Sequence, residues 1–187
     1  EPTTRSQPRT LTWGSDFDIG GGRSGDQHPP RAGAGGGVGW SKDGQSVVVV
    51  TTENGRANLK RFAIGNGKVD SVTTGDQDVV AYTANSDGSR FVALVSTPVN
   101  IGDLFIVDAG ATRAAPRQIT RVNQGLFSTL DLGAPEEFWY KSFDGKRIQG
   151  WILKPPRFDA SRTYPLFLEI HADRNAAYGN TLTHALA

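Results

Sequence analysis

Two stretches of this chain repeat one another. Gly39-Trp40-Ser41-Lys42-Asp43-Gly44-Gln45-Ser46-Val47-Val48 aligns with Thr83-Ala84-Asn85-Ser86-Asp87-Gly88-Ser89-Arg90-Phe91-Val92, and the two Asp-Gly pairs lie 44 residues apart. An Asp-Gly pair tolerates positive φ and so reverses the chain between strands. In each copy it is followed by a β-branched or aromatic run, 47–52 and 91–96, and then by a third strand, 58–64 and 103–108, leading to Gly65-Asn66-Gly67 or to Gly110. A repeat of roughly 40–50 residues built from short strands is the period of a propeller blade, and such a unit buries its apolar faces only by stacking on its neighbours.

The ends of the repeats are also visible. Pro8-Arg9-Thr10-Leu11-Thr12, Val69-Asp70-Ser71-Val72-Thr73 and Pro116-Arg117-Gln118-Ile119-Thr120 share one pattern and read as closing strands. Residues 1–13 are therefore expected to be the last strand of one blade, with 14–76 and 77–121 forming two blades of four strands. Residues 122–135 read as a linker broken at Asn123, Gly125, Gly133 and Pro135. With 23 glycines and 10 prolines the chain is turn-rich, and little helix is expected before residue 172. Residues 175–187 are the one stretch that reads as a helix start.

Gly20-Gly21-Gly22-Arg23-Ser24-Gly25 satisfies the spacing of a dinucleotide fingerprint, but that motif must open a helix, and His28-Pro29-Pro30 forbids one. Together with Gly33 and Gly35 to Gly37 it is expected to be a flexible insertion in a loop between blades. Charge gives no sign of nucleic acid or an anionic membrane as partner: 20 basic residues face 19 acidic ones, without a block of either sign. No apolar run approaches the roughly 20 residues of a membrane-crossing helix, and no leader pattern opens the chain, which reads as soluble with its compartment open between cytoplasm and periplasm or secretion. Cysteine is absent, which removes disulfides and thiolate metal sites, and no cofactor or metal is expected. Methionine is absent too, so the chain is expected to be a processed product or a fragment.

Beyond residue 135 the pattern changes. Residues 137–142 and 146–153 flank Asp144-Gly145 and read as a hairpin; Pro155-Pro156 ends its second strand, and a polar connection follows. Leu166-Phe167-Leu168-Glu169-Ile170 is nearly continuous in large apolar side chains, as in a strand covered on both faces of an α/β sheet. It stops at His171-Ala172-Asp173-Arg174, where such a strand would deliver its carboxyl end, the edge at which these sheets keep ligands.

The order of hairpin, Lys154-Pro155-Pro156, polar loop, Tyr164-Pro165 and apolar strand, His171, then Tyr178-Gly179-Asn180 resembles the entry to the hydrolase domain of the prolyl oligopeptidase family, nearest its acylaminoacyl-peptidase and dipeptidyl-peptidase-like branch. In that branch the strand ends in His-Gly-Gly-Pro before a Tyr-Gly pair. His171, Tyr178 and Gly179 match; Ala172, Asp173 and Arg174 stand where Gly-Gly-Pro would be. The resemblance implies a mainly β chain, partial β-propeller blades at 1–121 followed, after the 122–135 linker, by the first strands of an α/β-hydrolase domain at 136–187. It implies a serine peptidase that hydrolyses short peptides through an acyl-enzyme, with the propeller limiting access by size. His171, Ala172, Asp173 and Tyr178 carry over as the oxyanion-side loop.

No catalytic residue is expected within this span. A serine hydrolase of this kind needs G-x-S-x-G, then an acid, then a histidine, and no serine here has that frame. Ser15 and Ser86 read as turn residues and Glu136-Glu137 as exposed charge. His28 lacks a ligand partner at suitable spacing, and His184 reads as surface. The span alone is thus expected to be inactive, with peptide as substrate of the parent and with the remainder of the enzyme, or self-association, covering its open edges. The alternatives are a non-catalytic propeller-type binding module and an inactive remnant.

Overall fold

The computed structural model describes residues 9–20, 37–109, 116–170 and 178–182. They are mainly β. The strands are β1 (Asp18–Ile19), β2 (Gly39–Trp40), β3 (Ser46–Glu53), β4 (Arg56–Ala63), β5 (Val69–Ser71), β6 (Asp78–Ala84), β7 (Arg90–Thr97), β8 (Asn100–Asp108), β9 (Arg117–Gln118), β10 (Glu136–Lys141) and β11 (Arg147–Ile152), and the helix among the described residues is the single turn α1 (Gln124–Phe127). That turn occupies the expected linker, at the position where Asn123 and Gly125 were read as breaks.

The repeat takes the form of two antiparallel meanders. In the first, β3 pairs β4 and β4 pairs β5, with β1 and β2 both on the outer edge of β3; in the second, β6, β7, β8 and β9 pair in sequence. The two touch through one parallel bridge, Ala57 to Asp78. Local chemistry is copied closely. Gly44 and Gly88 take φ of 67° and 69°, and each turn closes with an N–H to carbonyl bond, Ser41 to Ser46 at 2.9 Å and Asn85 to Arg90 at 3.0 Å. Asp43 accepts the Gln45 N–H at 3.0 Å as Asp87 accepts that of Ser89 at 2.8 Å. The copies differ by one residue in β8, absorbed as a register shift opposite Val95 to Thr97 beside Gly102 at φ 155°.

Between the meanders lies one core. Val48, Val50, Ala57 and Leu59 meet Val79, Phe91, Ala93, Val95 and Val107, all buried. The other face of β3 is also covered, with Val47, Val49 and Phe62 packed against Leu11, Phe17 and Ile64. Burial of an aliphatic or aromatic side chain is worth about 1.5–3 kcal/mol, so these clusters carry the meanders' stability.

Four expectations change. Leu11 and Thr12 lie in a bend, not in a closing strand; Leu11 contributes packing instead. The glycine-rich stretch is not an insertion between repeats. β1 lies opposite Thr52 and Thr51, Gly20 N–H reaches Val50 O at 2.8 Å, and β2 lies opposite Val48 and Val47. The first strand of the meander therefore leaves the edge after Gly20 and returns at Gly39, with Val49 alone between their partners; Gly21 to Gly36 lie outside the described residues. Two-residue strands carry no readable alternation, which is why the sequence hid this. The apolar run 166–170 forms no ladder: Leu166, Phe167, Leu168 and Ile170 are 77–92% exposed, because no described strand lies beside it. Lastly, 178–182 is not helical; the rest of the expected helix, with His184, falls outside the described residues.

Candidate functional site

The one sequence-predicted site residue with a described position is Tyr178; His171, Ala172 and Asp173 lie outside the described residues. Its surroundings are built from the β3–β4 turn. Asn54 and Gly55 have φ of 49° and 69°, the paired positive values that a two-residue hairpin turn requires and that Asn-Gly supplies cheaply. Both carbonyls of the turn accept hydrogen bonds from later parts of the chain. Asn54 O accepts from Arg56 Nη1 at 2.9 Å and from Gln149 Nε2 at 3.1 Å; Gly55 O accepts the Asn180 N–H at 2.7 Å.

Asn180 thus meets the first meander, and Thr181 meets β7 of the second. Thr181 Oγ1 donates to Ser96 Oγ at 3.1 Å, and Asn180, Thr181 and Leu182 are buried. Tyr178 donates its hydroxyl proton to a Glu169 carboxylate oxygen. That bond comes first in holding the phenol above its ordinary pKa, and burial and the Glu169 charge act in the same direction.

The hairpin β10–β11 forms as the sequence predicts, in register from Glu136 opposite Ile152 to Lys141 opposite Arg147, around Gly145 at φ 82°. One of its residues was misread. Glu137 is not an exposed charge: its Oε2 accepts from Arg56 Nη2 at 2.5 Å, and its Oε1 from Trp139 Nε1 at 2.5 Å and Gln149 Nε2 at 2.9 Å. The Arg56 bond leads in pulling its carboxyl below the usual range, against a smaller effect of burial. Arg56 is in turn held charged, by Glu137 first, and its Nε donates to Asp76 at 2.6 Å. A carboxylate with both oxygens engaged and a lowered pKa does not serve as a general base; Glu137 anchors the hairpin. Glu136 pairs with Lys154 at 2.6 Å on the surface. No feature of the sequence alone linked position 137 with position 56.

Beside Arg56 a polar cleft of about 290 Å³ opens between this turn and Thr73 to Asp76. Its cations are already paired, Arg56 as above and Lys60 with Glu53 at 2.9 Å. Among the described residues no cluster of three metal-ligating side chains occurs. Ser15 and Ser86 sit in turns, as expected.

Comparison with known proteins connects this arrangement to peptidases. No protein-family model matches the chain. An uncharacterized peptidase, YuxL, of Bacillus subtilis is 28% identical over 145 residues, 78% of this chain and 22% of that protein. Dipeptidyl-peptidase 5 of Porphyromonas gingivalis is 25% identical over 129 residues, 69% of this chain and 18% of that protein. Among solved structures, an acylaminoacyl peptidase of Pyrococcus horikoshii covers 77% of this chain with 21% of its own length, at a TM-score of 0.63 and 24% identity, a likeness of fold. The chain spans about a fifth of the length of these relatives. Most of this chain is thus similar to proteins named as peptidases, and it shares its fold with part of an acylaminoacyl peptidase.

Proposed function

We propose that this chain is the junction of a serine peptidase, in which 1–121 are C-terminal blades of a β-propeller, 122–135 the linker and 136–187 the N-terminal part of an α/β-hydrolase domain. The parent enzyme hydrolyses short peptides, of the acylaminoacyl or dipeptidyl type, with the triad outside this span. The observation that carries the reading is the match to named peptidases over 78% and 69% of the chain. The two stacked meanders and the apolar run 166–170, left open to water as an unpaired sheet strand would be, support it.

In such an enzyme a serine attacks the scissile carbonyl, a histidine takes its proton, and oriented N–H groups stabilise the oxyanion. The contribution of this span is the loop side: His171, Ala172, Asp173 and Tyr178 border the oxyanion. The test is to read the encoding gene past Ala187. G-x-S-x-G followed by an acid and a histidine, with fluorophosphonate labelling of that serine in the gene product and none within these 187 residues, is the expected result. A stop at Ala187, or labelling of a serine inside the span, overturns the reading.

A further inference from the structure

Two glycines meet where residues 178–182 cross the first meander. Gly55 is a turn glycine by its φ of 69°, but Gly179 has no such need. Its requirement is steric: a Cβ at Gly179 would overlap Gly55 O and stand 3.0 Å and 3.2 Å from Gly55 C and Cα. Those obstacles are backbone, and the turn they belong to is fixed at both ends by the β3–β4 ladder. They cannot give way as a side chain can. Trp151 also closes on Gly55, where a Cβ would lie 2.5 Å from Cζ2. The turn therefore packs tightly against both the Trp151 ring and the 178–179 backbone, and the Asn180 N–H to Gly55 O bond locks the crossing at 2.7 Å.

We propose that this backbone-to-backbone contact positions Tyr178, with Gly179 as the positioning residue and the Asn54-Gly55 turn of the first meander as its seat. Tyr178 precedes Gly179 directly, and its carbonyl lies 3.1 Å from where a Gly55 Cβ would be. With the main chain held there, the phenol reaches Glu169. The propeller-like part thereby sets where Tyr178 sits. That this geometry matters for catalysis rests on the peptidase reading above; the contact itself does not.

Gly179→Ala is the decisive variant, since alanine suits the backbone of Gly179 and only the contact objects. In the 187-residue chain, the Asn180 amide should exchange with solvent at least ten-fold faster, while the Gly44 and Gly88 amides of the repeat turns keep their rates. Tyr178 should titrate at lower pH as it loses Glu169, an assignment made by the absence of that signal in Tyr178→Phe. Asn180→Pro, which removes the N–H and puts the ring Cδ where it pointed at Gly55 O, should give the same Tyr178 shift. Unchanged Tyr178 titration in both variants overturns the proposal. In the full gene product, with N-acetylalanine p-nitroanilide as probe, Gly179→Ala should lower kcat at least ten-fold with little change in KM. An unchanged kcat alongside a lost contact overturns the positioning role, whereas a wild-type product inactive on peptides overturns the peptidase reading and leaves the exchange and titration results standing.

Discussion

The two meanders are copies in local structure and opposites in what covers them. Their Asp-Gly turns share the same backbone bonds, and the coincidence extends to the closing strands: Thr73 Oγ1 accepts the Leu59 N–H at 2.9 Å as Thr120 Oγ1 accepts that of Leu104 at 2.8 Å. Val72 and Ile119 likewise donate to Leu59 O and Leu104 O, both at 2.8 Å. Yet Val48 and Val50 are buried, at 4% each, while Val92 and Leu94 at the repeat-equivalent positions are only half-buried. Sequence repeats set the strands and turns; burial is conferred by the neighbour. Among the described residues the first meander has one on each face, the second on one face only.

The contrast is broken most severely through Phe91, which is 2% exposed at the shared core. Phe91→Ala should cost about 3–5 kcal/mol, the transfer energy of the ring plus the cavity it leaves. Because its neighbours come from both meanders, equilibrium denaturation should show the two unfolding together at a lower midpoint. Val92→Ala, one residue away on the uncovered face, should cost about 1 kcal/mol or less. Equal losses would mean that the outward face of β7 is covered in solution.

A second contrast lies at the post that ties the third strand to the fourth. In the first meander it is Asn58, whose Oδ1 accepts from Thr73 and Gln77 at 2.9 Å each. In the second it is Asp103, 4% exposed, which accepts from Asn100 at 3.0 Å, Gln118 at 3.1 Å, Thr120 at 2.7 Å and the Val122 N–H at 3.0 Å. Burial is the largest single effect on this carboxyl and raises its pKa, but the four donors together outweigh it and leave the pKa lowered. Asp103→Ala should cost about 2–3 kcal/mol, as expected for hydrogen bonds to a charged group when donors are left unpaired. A lowered folded pKa places the stabilisation above the unfolded carboxyl value of about 4 and removes it as pH falls through the folded value. Comparing Asp103→Asn with wild type in acid-unfolding curves isolates this: the stability difference between the two should shrink below about pH 4. A difference independent of pH would show that Asp103 does not titrate with unfolding.

Much of this was legible. The Asp-Gly turns, the second and third strands and the hairpin at Asp144-Gly145 follow from alternation and turn chemistry within a few residues. Three features were not. The first strand of the first meander is split at Gly20 and Gly39, and each half is too short to show a period. Glu137 gained its partners from Arg56 and Gln149, one of them far away in sequence and brought close only by the docking of the hairpin. The continuous apolar character of 166–170 resembled that of β3, whose Val47 to Val50 are buried on both faces, yet the same signal gave an exposed segment, because periodicity reports what a strand can bury and not whether a partner is present.

The gentlest test concerns the split itself, the feature that the second meander lacks. Where the first strand leaves β3, the second meander supplies a substitute: the Tyr82 hydroxyl lies 2.6 Å from both Gly37 O and Val48 O and accepts the Gly39 N–H at 3.0 Å. Burial leads in raising the pKa of this phenol, so it remains a neutral donor through the physiological range. One hydroxyl proton can serve only one of the two carbonyls at a time, so its removal costs one donated and one accepted bond, about 1 kcal/mol in sum after water replaces part of the loss. Tyr82→Phe retains the ring contact with Phe91 at 6.0 Å between centroids, which confines the effect to the hydroxyl. Amide exchange at Gly39 should accelerate several-fold while exchange at Val107, within the shared core, changes only in step with the small global loss. If Gly39 stays protected, its return to β3 is held by the β2 ladder with Val48, and the second meander is merely adjacent to the split instead of closing it.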